Sequence, residues 1–241
     1  MRVLAASVTG AAHQRLGQDC QDAWASARTP AGLVLAVADG AGSRPRAAEG
    51  ARTAVAAACA AASGDDPLPR AFASARHAVL SLAADPAPFA CTLAVVVVGA
   101  TEVAVGQIGD GIVAVEQGAV ARSAAVAVRG EYANETVFLT SDDAMDRLVV
   151  ERFPAAEVTG VALSTDGLRS VILDDPATGA LYAPFFTDLW SYARLDTAAS
   201  EGLHTFLSEV PDSTGDDKTL VVAVSQRHEQ MNTGDAGHVV A

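Results

Sequence analysis

Polar residues interrupt the hydrophobic positions of this chain in two distinct rhythms. Gly32–Ala38 (GLVLAVA) and Lys218–Ser225 (KTLVVAVS) run apolar without a break and read as strands buried on both faces. Residues 2–9 and 22–28 predict further short strands. Residues 44–62 are Ala-rich and carry Pro45 near their start, where a fixed φ and a missing N–H suit the first turn of a helix. Ser63-Gly64-Asp65-Asp66-Pro67 ends that helix, and residues 68–84 predict a second one antiparallel to it.

Beyond residue 90 the texture turns to strands in series. Thr92–Val98 and Glu102–Ile108 are separated by a Gly99-Ala100-Thr101 turn, and Ile112–Val115 and Ala119–Arg122 bracket a Gln117-Gly118 hairpin turn. Thr136–Thr140 predicts a strand, Asp142–Glu151 a short helix capped by Ser141, and Glu157–Ser164 another strand. Residues 186–208 predict helix interrupted around Arg194–Thr197, with Pro184-Phe185-Phe186 anchoring it to the core. Hairpin-linked strands with helix pairs between them imply an α+β fold with antiparallel sheets flanked by helices. One domain over residues 1–226 and a polar tail over 227–241 is the simplest division.

Composition narrows the chemistry. Half of the 241 residues are hydrophobic, enough for a sizeable core, and the formal net charge is −13. Such a balance excludes a nucleic-acid surface, which needs clustered Lys and Arg to neutralise phosphates. Three cysteines, Cys20, Cys59 and Cys91, without a CxxC pair suit a reducing compartment. Cys59 and Cys91 read as small buried hydrophobes. The opening MRVLAA is broken by Ser7, Thr9 and Gly10, short of a secretory apolar run, and no stretch is apolar enough to span a bilayer. A cytoplasmic protein, with neither membrane nor nucleic acid as partner, is expected.

Aspartates mark the ends of the apolar runs: Gln21-Asp22-Ala23, Asp39-Gly40-Ala41-Gly42, Gly109-Asp110-Gly111, Asp166-Gly167 and Asp216-Asp217-Lys218-Thr219. Taken singly, an Asp-Gly pair is an ordinary turn and an Asp pair before a strand an ordinary solvated cap. Asp22 is different, because a carboxylate entering a strand asks for a partner. Several carboxylates held at one rim repel unless a cation lies between them, and hard divalent ions take carboxylate, carbonyl and water oxygens. Arg44 and Arg46, just past the Asp39 turn, read as solvated helix-start charges.

The chain resembles the metal-dependent serine/threonine protein phosphatases of the PP2C type, in particular their divergent bacterial branch. The resemblance is carried in order by Gly17–Ala23 (GQDCQDA), Val37–Ser43 (VADGAGS), Cys91–Val98 with Ile108-Gly109-Asp110-Gly111, Leu163–Leu168 (LSTDGL) and Asp216–Val222 (DDKTLVV), and spans residues 3–225. It implies a pair of packed antiparallel sheets with helix pairs outside, an α-β-β-α sandwich. It implies two Mn²⁺ or Mg²⁺ ions about 3.5–4 Å apart that activate a bridging water against a phosphomonoester. By position, Asp39 resembles the carboxylate bridging both ions, Gly40 a carbonyl ligand of one, and Asp166 and Asp216 ligands of the other. Asp22 resembles the acid that holds the coordinated waters, and Asp110 a third, weaker site shared with Asp166. Asp22, Asp39 and Asp166 are thus the expected catalytic residues, acting on a phosphoprotein set against a Ser/Thr kinase. A monomer is expected.

Departures from the pattern keep an alternative open. Gln21 stands where many relatives have Glu, Asp217 where Asn is usual, and Ala41 where some carry a histidine. The usual spacing of a phosphate-gripping Arg lands on Gly17, leaving Arg15 or His13 to bind substrate. The alternative is a phosphatase-like module, weak or inactive in turnover, that binds a phosphoprotein or regulatory partner. A metal-dependent nuclease fits the acidic charge poorly.

Overall fold

The computed structural model describes residues 1–124, 136–175, 177–211 and 214–225. The expected tail over 227–241 lies outside them. The chain begins with β1 (Arg2–Val8), a short helix α1 (Ala11–Arg15), and the hairpin β2 (Ala23–Thr29) and β3 (Gly32–Ala38). The helix pair α2 (Ala47–Ala61) and α3 (Pro67–Leu80) follows. Four strands come next: β4 (Leu93–Val98), β5 (Glu102–Ile108), β6 (Ile112–Gln117) and β7 (Val120–Ala124). After them come β8 (Val149–Pro154), β9 (Val158–Ser164), the single turn α4 (Arg169–Ile172) and a small ribbon of β10 (Leu173–Asp175) and β11 (Ala180–Leu181). Helices α5 (Ala183–Arg194) and α6 (Ser200–Glu209) and the strand β12 (Lys218–Val224) complete it.

Two five-stranded antiparallel sheets form, ordered β1-β12-β9-β6-β7 and β2-β3-β4-β5-β8. Alternation explains why central strands such as β3 are apolar on both faces. In β3, Leu33, Leu35 and Val37 enter the core between the sheets, whereas Val34, Ala36 and Ala38 face α2 and α3. In β12, Val221 and Ala223 face the other sheet, and Leu220, Val222 and Val224 face α5 and α6. The result is the expected α-β-β-α sandwich, with helices covering both outer faces. Among the described residues no helix is long and apolar enough to cross a membrane.

Local chemistry accounts for several boundaries. The β6–β7 turn places Gly118 at φ 56° and Ala119 at φ 64°, the paired left-handed geometry that suits the twist of a two-residue hairpin. Pro45 lies before α2, which starts at Ala47 beyond Arg46. Arg46 pairs with Glu49 and lies over the Phe89 ring at 4.3 Å, so it is a surface contact as expected. Phe186 is buried edge-on against Phe185, which makes the Pro184-Phe185-Phe186 segment a core anchor.

Two expectations fail in one region. Thr136–Thr140 is a loop, not a strand: the Leu139 N–H donates to the Cys91 carbonyl at 2.8 Å and the fully buried Leu139 side chain plugs the core. Asp142–Glu151 is not a helix either. Its first six residues form turns, and Ser141 Oγ accepts the Phe138 N–H at 3.2 Å instead of capping. The rest enters β8, which pairs with β5 and supplies that sheet's edge. Tertiary pairing of the β-branched Val149-Val150 outweighs local helix propensity there.

One buried ion pair ties the outer helices to their sheet. Glu116 on β6 is met by the Arg194 guanidinium from the end of α5, with Nη1 at 3.1 Å from Oε1, and accepts Thr159 Oγ1 at 2.6 Å. Removing Arg194 would leave a buried carboxylate short of its cation. Arg194→Met is therefore expected to cost about 3–5 kcal/mol in denaturant unfolding, and adding Glu116→Leu to recover most of it.

Candidate metal centre

Strand register brings the aspartates together. Ala23 pairs with Ala38, so Asp22 just before β2 and Asp39 just after β3 leave the same end of that hairpin. Ile112 pairs with Ser164, so Asp110 and Asp166, two residues beyond them, also leave together. Ser164 pairs on its other side with Leu220 of β12, which carries Asp216 to the same rim. The first pair belongs to one sheet and the last to the other; Asp110 lies on the connection that crosses between them.

Polar residues fix these carboxylates from behind. Thr165 Oγ1 donates to Asp22 Oδ2 at 2.8 Å and accepts the Thr219 N–H at 3.1 Å, joining the two sheets at the rim. Thr92 Oγ1 accepts the Asp39 N–H at 3.0 Å, and Thr92 N–H returns to the Asp39 carbonyl at 2.8 Å. That bond and Ala41 N–H to Ala90 O flank Gly40 and use neither its N–H nor its carbonyl. Gly40 is needed for close packing, since a Cβ there would stand 2.8 Å from the Gln21 carbonyl. Gln107 Nε2 donates to the carbonyls of Gly109 and Gly111, holding the Asp110 loop open, and Thr136 Oγ1 donates to Asp110 Oδ2 at 3.0 Å. Thr92, Gln107, Thr165 and Thr219 escape a reading of motifs. The signal available was a buried polar residue beside each acidic motif.

Electrostatics confirms the crowding. Burial, then the charges of Asp217 and Asp216, pushes Asp22 up to about 8, against the lowering effect of the Thr165 and Thr219 hydroxyls. Asp39 is held well above the ordinary carboxylate range by burial and by Asp22, Asp166 and Asp216. Asp166 rises to about 6 through burial and the charges of Asp110 and Asp216, opposed by its hydrogen bond with Asp39 and by Arg169. Asp39 and Asp166 are thus close enough for each to act on the other's ionisation.

Divalent cations fit this donor set. The candidate donors are hard oxygens, and Asp166 Oδ1 and Gln21 Oε1 are buried without a hydrogen-bond partner. Among the described residues no three His, Cys, Asp or Glu side chains gather about one point, so each ion would complete its shell with carbonyl oxygen and water, as small hard cations do. Thiolate chemistry is absent from the rim. Burial pushes Cys91 up to about 12 and Cys20 above the ordinary thiol range, with Asp22 and Asp217 adding to the latter, so both stay protonated at neutral pH.

Asp217 is neither solvated nor a simple cap. Its carboxylate, 2% exposed, accepts the Gly10 N–H at 2.8 Å and the Gln21 N–H at 2.6 Å, and lies 3.0 Å from His13 Nδ1. His13 is buried within this clamp, whereas Arg15 is exposed on α1. Expectation had placed these two residues in equivalent roles, and the structure separates them. A family model described as protein phosphatase 2C matches residues 9–208. The chain belongs to the protein phosphatase 2C family.

Within that family it is 34% identical to serine/threonine-protein phosphatase 3 of Escherichia coli (strain K12), covering 92% of this chain and 98% of that protein. Its fold is similar to serine/threonine phosphatase Stp1 from Staphylococcus aureus, with TM-score 0.67 at 13% identity over 93% and 95% of the two chains. It is also similar to the catalytic domain of the phosphatase PstP in complex with two manganese ions, with TM-score 0.64 at 19% identity over 92% and 97%.

The raised carboxylates make a pH prediction. Each ionises near 3.8 in the unfolded chain, but near 6 for Asp166 and near 8 for Asp22 in the fold. Unfolding then releases protons across this window, so the metal-free fold loses stability as pH rises from about 4 to about 8. Melting temperature in chelator is expected to fall across that range, and added Mn²⁺ to raise it more at pH 8 than at pH 5.

Proposed function

We propose that this protein is a metal-dependent phosphoprotein serine/threonine phosphatase. The observation carrying this reading is the convergence of Asp22, Asp39, Asp110, Asp166 and Asp216 at one rim, with a buried Asp166 oxygen unpartnered. Asp39, the Gly40 carbonyl, Asp166 and Asp216 would hold two Mn²⁺ or Mg²⁺ ions, Asp22 would act through water, and Asp110 would serve a third site. Bound there, the ions would acidify water and neutralise phosphoryl charge.

The residues of the chain supply the rest. Thr165 and Thr219 keep Asp22 aimed at the rim. Asp22 would accept a hydrogen bond from the attacking water and orient it. Arg15 carries an exposed charge able to meet the phosphate. Attack by water needs no covalent enzyme intermediate, consistent with thiols that stay protonated. The substrate class is a protein phosphorylated on serine or threonine, with the corresponding kinase as its functional opposite.

Mn²⁺ is expected to stimulate hydrolysis of a phosphothreonine peptide, with Asp39→Ala and Asp166→Ala each lowering kcat/KM more than about 100-fold, beyond the range for outer-shell partners. Absence of turnover in metal-loaded protein across several phosphopeptides would sink the reading. Calorimetric Mn²⁺ binding under those same conditions would leave a phosphoprotein-binding module in its place.

A further inference from the structure

We propose that His13 is the proton donor to the departing oxygen and that Asp217 is the residue positioning it. The inference rests on the phosphatase reading and adds a residue to it. Water attack on a seryl or threonyl phosphate expels an alkoxide, a leaving group so basic that protonation as the bond breaks lowers the barrier. Around the Asp39 turn few groups can provide that proton. Ala41 has no donor, Cys91 is fully buried, an arginine keeps its proton, and the Ser43 hydroxyl is no stronger an acid than the seryl oxygen it would protonate. His13 remains.

Its setting is built for one orientation. Asp217 Oδ2 lies 3.0 Å from Nδ1, an ion-pair distance to the protonated ring, so the buried carboxylate holds that side of the imidazole by charge although Nδ1 itself makes no hydrogen bond. Asp217 cannot swing away, because its two oxygens also receive the Gly10 and Gln21 backbone N–H groups. Nε2 therefore points the other way, toward the turn that follows Asp39. It lies 3.7 Å from where a Cβ on Gly42 would stand. Gly42 is exposed and has no side chain, so nothing at that position covers Nε2 although the ring itself is buried. This is a catalytic histidine oriented by a buried carboxylate, assembled from the two ends of the chain.

In the step, a water oxygen forms a bond to phosphorus as the bond from phosphorus to the seryl oxygen breaks. The electron pair of that bond leaves with the seryl oxygen, which takes the proton from Nε2 of the imidazolium. Serine hydroxyl, dihydrogen phosphate and neutral His13 result, and His13 regains a proton from solvent as the phosphate loses one.

Leaving-group chemistry tests this directly. Phenyl phosphate expels a basic phenoxide that needs a proton; 2,4-dinitrophenyl phosphate expels an anion stable without one. His13→Asn keeps a donor toward Asp217 but removes Nε2, and His13→Gln keeps a nitrogen near Nε2 that cannot release a proton. In Mn²⁺-loaded full-length protein, both are expected to lower the ratio of kcat/KM for phenyl phosphate over dinitrophenyl phosphate about 100-fold. Asp217→Asn is expected to lower it in the same direction. Equal loss on both esters, or no loss on either, in a variant with a cooperative melt would overturn the inference while leaving the phosphatase reading intact. Failure of the wild type on both esters would instead overturn that reading, and this inference with it.

Discussion

Repulsion among carboxylates at one rim is the constraint around which this molecule is arranged. Two unit charges about 4 Å apart at an effective dielectric near 20 repel by about 4 kcal/mol, and burial removes the water that would screen them. No strand ends there by accident. The registers of β2 with β3 and of β9 with β12 deliver Asp22, Asp39, Asp166 and Asp216, and the connection from β5 to β6 carries a fifth, Asp110, across the gap. The sandwich then has to hold a surface that resists its own closure. It does so with hydroxyl and amide groups aimed at the acids from behind, above all Thr165, which grips Asp22 of one sheet while anchored to β12 of the other.

Much of this was legible in the residues. The central strands β3 and β4 were readable because both of their faces are buried and no polar residue breaks the run. The Asp-Gly signals were readable because they sit immediately beyond those runs. What escaped was decided by contacts distant in sequence. Residues 136–151 misled because Leu139 and Val149-Val150 have the composition of regular elements, yet Leu139 serves as a plug and the valines as an edge partner of β5. The small ribbon of β10 and β11 and the single turns α1 and α4 were too short to leave a period.

Asp217 shows the same limit at the scale of one side chain. In sequence it is the second member of a solvated-looking pair before a strand. In the fold it is among the most buried charged residues, satisfied by two backbone N–H groups about two hundred positions away and set at ion-pair distance from His13. Its neighbour Asp216, one residue earlier, turns its carboxylate to the rim and receives the Asp217 N–H at 2.9 Å. Two identical neighbouring residues thus divide into one at the acidic rim and one that holds the frame.

The placement of β12 ties the order of synthesis to competence. Its strand lies between β1 and β9, so among the described strands β1 has no hydrogen-bonding neighbour in its sheet until β12 emerges. The same late segment brings Asp216 and the clamp on Gly10, His13 and Gln21. A ribosome-bound chain lacking residues 216–224 would leave β1 unpaired and the acidic rim without Asp216. Long-range closure of this kind slows folding, since the intervening loop must be ordered before any contact repays it. It also leaves the acidic rim incomplete until β12 is in place.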